Sequence, residues 1–231
     1  MRFNKGRAVS VPGILLVPYE RPHVITYHEW MKDEDIRIAT ASEPLSLDEE
    51  YAMQQSWRAD HDKLTFIACL PLDYAPEEVV AGAQDSPSRM IGDVNLFLSA
   101  ADGLPEGCIG ELELMIACSS LRRRGHGRAA ILAFLHYITT HLQEILDEYK
   151  NGLPAEKMSL VELRVKIGSQ NKSSIKLFES IGFTQTRDGP NYFGEIELAL
   201  EGPISKGNTA GLLQKYGLQE YHEMPYIEAP S

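Results

Sequence analysis

The run Glu111-Leu112-Glu113-Leu114-Met115-Ile116, followed by Arg122-Arg123-Arg124-Gly125-His126-Gly127, most constrains what this chain can become. Strict alternation over 111–116 has the period of a half-buried strand, and it sets Glu111 and Glu113 on the face opposite Leu112, Leu114 and Ile116. From Gly127 the period changes. Ile131, Phe134, Leu135, Ile138, Leu142 and Ile145 recur at steps of three and four, which predicts a long amphipathic helix ending near Asn151-Gly152. The first N–H groups of a helix lack internal partners and lie at the positive end of its dipole. Gly125 and Gly127 would let an anion approach them, and arginine adds charge-assisted, bidentate bonds to phosphate oxygens. The loop therefore predicts a phosphorylated ligand.

Two other phosphate-binding patterns are tested by the same residues. Gly125-His126-Gly127-Arg128-Ala129-Ala130 matches the G-x-G-x-x-A form of dinucleotide-binding turns. Those glycines belong in the tight turn directly after the strand, whereas here they follow well beyond it, in mid-chain, with no strand ending in an acidic residue about 20 positions later. A Gly-Lys-Ser or Gly-Lys-Thr phosphate loop is absent from the sequence. The bland alternative, a turn with a solvated basic face, conflicts with the ordered strand, loop and helix around it.

Around this unit, Ile14 to Pro18 reads as a strand, and His23 to Lys32 and Leu47 to Asp60 as helices, the second opened by Ser46 with Glu49 three residues on. Leu64 to Leu70, Met90 to Leu98 and Ile109 to Ala117 read as an antiparallel meander, with a loop over Ala81 to Arg89. Leu160 to Ile167 follows as a strand, Ser173 to Ile181 as a short helix stopped by Gly182, and Phe183 to Thr186 with Tyr192 to Leu200 as a final strand pair. The expected architecture is one α/β (α+β) domain over residues 11–200, with a short segment 1–10 before it and a tail, 201–231, after it. Its sheet is mixed, mostly antiparallel, with about six or seven strands flanked by helices.

Composition narrows the function. A formal net charge of −11 repels nucleic-acid phosphate as a whole, so Arg122 to Arg124 stand out as a local anion site. With 43% hydrophobic and 24% charged residues, the chain has the balance of a soluble globular protein, and neither a membrane span nor a secretory signal is evident. A cytoplasmic home, with the nucleus as a second one, is expected. Cys69, Cys108 and Cys118 are odd in number and widely spaced, against a disulfide framework. His136 and His141, five apart, do not converge on one helix face, and no metal site is expected.

R-x-x-G-x-G after an alternating strand, with Asn171-x-x-Ser174-x-x-Leu177-Phe178-x-x-x-Gly182-Phe183 about 45 residues on, resembles the GNAT superfamily of N-acetyltransferases. Within it, Tyr27 to Lys32, Ala41 to Leu45, Glu50 to Gln54 and Gly92 to Leu98 are similar to the N-acetyltransferase 9 group. The resemblance implies a GNAT fold that transfers acetyl from acetyl-CoA to an amine of a protein or peptide. It implies that the backbone of Met115, Ile116 and Ala117 meets the pantetheine arm. Arg122, Arg123, Arg124, Gly125, His126, Gly127 and Arg128 would hold the pyrophosphate, with Asn171 and Ser174 on the cofactor's other side. Capping of the helix is the structural alternative for that last pair. Tyr27, Glu29 and Asn95 would border the acceptor groove.

Transfer needs a neutral amine, a polarised thioester and a proton for the departing thiolate. Glu111 and Glu113 are the candidate bases, with solvated or paired carboxylates as the alternative. Related protein-terminus acetyltransferases carry a tyrosine acid where this chain has Phe178, and some carry a glutamate where it has Lys166. Tyr192 is then a candidate acid, and direct departure of the thiolate to solvent is another solution. A cofactor-binding interaction protein with little catalysis, with a partner of cytoskeletal type, is the competing reading, and acylation of a small metabolite amine a third.

Overall fold

The computed structural model describes residues 1–74, 76–150, 157–201 and 205–229. Its ten strands are β1 (Arg7–Val11), β2 (Ile14–Pro18), β3 (Lys63–Cys69), β4 (Val79–Val80), β5 (Met90–Ala101), β6 (Leu104–Ile116), β7 (Ser159–Gly168), β8 (Thr184–Gln185), β9 (Glu195–Glu201) and β10 (His222–Ile227). The helices are α1 (Val24–Met31), α2 (Glu34–Ala39), α3 (Leu47–Ala59), α4 (His126–Thr140), α5 (Leu142–Tyr149), α6 (Lys172–Ser180) and α7 (Lys206–Lys215). All the strands join one sheet in the order β4-β10-β1-β2-β3-β5-β6-β7-β9-β8. It is mixed and mostly antiparallel, the β6–β7 and β10–β4 pairs being parallel.

Strand alternation divides the core between the two faces. Leu64, Phe66, Val94, Leu96 and Leu112 pack with Ala130, Phe134 and Tyr137 of α4 on one side. Ile67, Cys69, Met115 and Ala117 pack with Tyr19, Val24, Tyr27 and Met31 on the other, under α1. The predicted meander stands as β3, β5 and β6, side by side and antiparallel. Ser46 caps α3 in a full capping box with Glu49, as their spacing predicts.

Several features differ from the sequence reading. The single long helix is two, α4 and α5, divided at His141, whose imidazole bonds Glu223 at 2.9 Å. Its expected end at Asn151-Gly152 lies outside the described residues. Residues 205–229, within the segment set apart as a tail, pack against the domain, a course that the sequence leaves open. Helix α7 lies against α4, burying Thr209 and Leu213, and β10 pairs antiparallel with β1 from Arg7↔Pro225 to Ser10↔His222.

Candidate functional site

The parallel strands β6 and β7 pair from Gly107↔Ser159 to Glu111↔Arg164 and then part, although β6 runs on to Ile116 and β7 to Gly168. Among the described residues, the last five of β6, Leu112 to Ile116, thus have β5 on one side and an open edge on the other. Gly92 makes this possible on the β5 side: a Cβ there would lie 1.9 Å from Met115 O, so only a glycine lets the end of β6 approach so closely.

Beyond the open edge, the chain turns through Arg123 at φ 62° and Gly125 at φ 95° into α4. Gly125 is the N-cap, and no side chain caps the helix. Ala129 N already bonds Gly125 O, so the N–H groups just ahead of it form the uncapped end that an anion would meet. Nothing lies within 4 Å of a Cβ built on Gly125; the residue is needed for its left-handed backbone and not for space.

The loop's cations divide into groups that the sequence made look alike. Arg123 and Arg124 are exposed and make no ion pair among the described residues. Arg122 instead turns back, its Nε donating to Ile116 O at 2.8 Å and its Nη2 to Ala117 O at 3.1 Å. His126 Nδ1 donates to Gly13 O at 2.8 Å and ties the loop to the β1–β2 turn. Arg128 stacks its guanidinium 4.5 Å from the ring centre of Tyr216, beyond the end of α7. Asn171 is exposed and caps α6, accepting from Ser174 N at 3.2 Å.

The two candidate carboxylates also part. Glu111 Oε2 accepts from Lys166 Nζ at 2.8 Å and from Arg164 Nε at 3.3 Å, where β6 and β7 diverge. Two cations hold it as an ion-pair partner. Glu113, two residues further along β6, makes no such bond among the described residues and its side chain is exposed. The surrounding groove still strips much of its hydration, and Asp93 and Glu111 add negative charge, so its pKa is pushed up to about 7 against a weaker pull from Lys166. A carboxylate that titrates near neutrality is suited to take a proton from an amine.

Asn95 faces Glu113 across the β5–β6 pair, and its Nδ2 donates to Asp93 Oδ2 at 2.8 Å; Tyr27 OH donates to the same oxygen at 3.3 Å. Tyr27 and Asn95 are therefore brought together beside Glu113. Glu29 is not: it is exposed and bonded to Lys32, which holds its carboxyl below the usual range. Tyr192 is 96% exposed, its ring edge-on to Phe193, so nothing around it prepares it as an acid. Phe178 is buried edge-on against Phe183. Asp93 escaped the sequence reading, since one acidic residue in an apolar strand carries no period; the Asp93-x-Asn95 spacing, which puts both on the Glu113 face, was the available signal.

The strands that part beyond Glu111 and the uncapped helix start that follows them lie within residues 14–184, which match the acetyltransferase (GNAT) domain model. The chain belongs to the GNAT acetyltransferase family. Within that family it is similar to the N-acetyltransferase 9-like proteins: it is 41% identical to that of Schizosaccharomyces pombe, over 87% of this chain and 98% of the relative. To the alpha/beta-tubulin-N-acetyltransferase 9 of Homo sapiens it is 39% identical, over 98% of this chain and 96% of the relative. Among solved structures, spermidine N-acetyltransferase from Vibrio cholerae in complex with CoA and spermine shares the fold. Its TM-score is 0.59 at 16% identity, over 82% of this chain and 96% of that one.

Proposed function

We propose that this chain transfers acetyl from acetyl-CoA to an amine of a protein, with Glu113 as the base. The observation that carries the reading is the place of Glu113: an exposed carboxyl with no ion pair among the described residues, on the edge where β6 leaves β7. The uncapped start of α4 with Arg123 and Arg124 would hold the pyrophosphate, and the open edge of β6 at Met115 and Ile116 would take the pantetheine arm. When bound there, acetyl-CoA supplies an activated acetyl group. Arg122 braces the carbonyls of Ile116 and Ala117 and so fixes the edge, while His126 anchors the loop. Arg128, committed to Tyr216, supports the helix from the far side.

In this reading the acceptor enters as an ammonium and gives one proton to Glu113. The freed lone pair forms the new C–N bond at the acetyl carbon, the C–S bond breaks, and its electron pair leaves on sulfur. The second nitrogen proton restores the thiol through solvent. No protein acid is needed for that last step, because a thiol of ordinary acidity, near pKa 8.5, leaves tolerably as thiolate at neutral pH. The buried Phe178 and the solvated Tyr192 agree with it.

For the acceptor we propose tubulin or a similar cytoskeletal protein, the support being likeness to relatives that carry tubulin in their name. The test is incubation of purified chain with isotopically labelled acetyl-CoA and tubulin dimers, then mapping of the label by mass spectrometry. Label on a defined amine, absent with Glu113→Gln, is the expected result. Tight acetyl-CoA binding without transfer to any protein amine would instead favour the interaction-module reading, which the missing tyrosine at Phe178 supports. A cytoplasmic location goes with this proposal.

A further inference from the structure

Asp93 is 2% exposed, yet it carries an ionisable group in the middle of the sheet. Its register partner is Met115, and Asn95, two residues on, pairs with Glu113. Residues paired across strands share a face, as do residues two apart on one strand, so Asp93 and Glu113 are diagonal neighbours on the α1 side, about 7–8 Å apart in a regular antiparallel pair. Two donors converge on one Asp93 oxygen, Asn95 Nδ2 at 2.8 Å and Tyr27 OH at 3.3 Å. Both are neutral, and no cation bonds Asp93 among the described residues. A buried carboxylate with donors but no counter-ion is costly to keep, and that cost calls for an explanation. Its diagonal neighbour Glu113 likewise makes no ion pair among the described residues.

Resting on the assignment of Glu113 as base, we propose that Asp93 is a positioning residue for the reaction. Its buried charge, fixed in place by Tyr27 and Asn95, faces Glu113 and keeps that carboxylate able to take a proton from the acceptor's ammonium.

The groups around Glu113 argue for this division of labour. From its own strand comes Glu111, but Arg164 and Lys166 of β7 already neutralise that residue. Helix α1 brings Tyr27, whose phenol is pushed up by burial and then by Asp93, so that it stays a donor. Helix α3 brings Glu50, 1% exposed, raised by burial and with Oε2 unpartnered; it lies near enough to add to the pressure on Tyr27. Asp93 is thus the carboxyl in the row that bears on Glu113 and has no ion pair of its own among the described residues. Its own pKa is raised to about 6 by burial, against the two donors, and stays below that of Glu113, so Asp93 is the first of the two to ionise. Asn95 gains a defined orientation as well. An ionised carboxylate only accepts, so Nδ2 points at Asp93 and Oδ1, buried and unpartnered, points elsewhere.

The test is a pH titration of carboxyl carbons by NMR in the intact protein labelled with 13C at Asp and Glu carboxyls. In wild type, Glu113 is expected to titrate near neutral pH. In Asp93→Asn its midpoint should fall by roughly one pH unit, the scale of one unscreened neighbouring charge. Asp93 loses its proton first, so its carboxyl carbon should show a second, smaller step at the Glu113 midpoint, and that step should vanish in Glu113→Gln; this second variant alters an exposed side chain and so does not depend on the core tolerating Asp93→Asn. The acid limb of kcat/KM for acetyl transfer should move with the NMR midpoint, with KM for acetyl-CoA unchanged. A near-neutral Glu113 that ignores Asp93→Asn, together with an Asp93 carbon that shows no step at the Glu113 midpoint, overturns the inference and leaves the base assignment standing. An ordinary Glu113 midpoint, about 4.3, overturns both.

Discussion

Lys166 Nζ lies 2.8 Å from Glu111 Oε2, and that contact separates two carboxylates that the strand period alone made equivalent. Glu113→Gln is therefore expected to lower acetyl transfer by roughly 10²–10⁴-fold, the usual worth of a positioned base. Glu111→Gln frees Arg164 and Lys166 and should reduce stability by about 1 kcal/mol or less, as for other partly exposed pairs, with a small effect on rate. Steady-state kinetics beside chemical denaturation of both variants checks the pair; equal losses of rate would contradict it.

Stability should respond to pH through the same residue. Glu113 has a folded pKa of about 7, above the value of about 4.3 for an unfolded glutamate. The unfolded chain gives up that proton first, so the contribution is complete below about pH 4.3 and is lost as pH rises through about 7. Glu113→Gln should accordingly gain stability relative to wild type between pH 5 and pH 8. Urea melts at the two pH values measure it, and a gain in the opposite sense would refute the raised pKa.

Gly92 is a sharper structural test. In Gly92→Ala the new methyl would collide with Met115 O, a backbone atom that cannot swing aside. Loss at or above the ~1–3 kcal/mol of ordinary overpacking is expected, together with loss of acetyl-CoA binding, because the displaced carbonyl belongs to the open edge of β6. Thermal unfolding and calorimetric titration report the two effects; a variant with native stability and binding would show that the close approach is dispensable.

The loop arginines should separate into binders and braces. Arg124→Ala, at an exposed side chain, is expected to weaken acetyl-CoA binding roughly ten- to hundredfold without changing the melting temperature. Arg128→Ala removes the stack on Tyr216 and should cost about 0.5–2 kcal/mol of stability, with the smaller effect on acetyl-CoA affinity. Reversal of that ranking in calorimetric titration would move Arg128 into the phosphate site.

Much of this arrangement was legible in the sequence because it is local. Alternation over 111–116 placed Glu113 on the correct face, and the glycine loop announced an uncapped helix start. What the sequence hid depends on contacts far along the chain. Arg122, Arg124 and Arg128 share one chemistry; only the positive φ at Arg123 and Gly125, and the arrival of Tyr216, give them different work. Glu111 is decided by Lys166, 55 residues away, and β1 by a partner strand over 200 residues distant. The long helix divides at His141, whose backbone leaves the helical region at φ −116° and ψ 24° and whose ring meets Glu223, a contact that leaves no trace in the apolar period.

The pairing of Arg7 with Pro225 also sets an order in time. During synthesis at about 5–20 residues per second, β1 is made some ten to forty seconds before the strand that closes its outer side. For that interval a nascent chain displays Ala8, Val9 and Val11, all buried in the finished molecule, along a row of unsatisfied backbone groups. Until β10 arrives, the outer side of β1 is a bare strand edge of the kind that pairs with other chains.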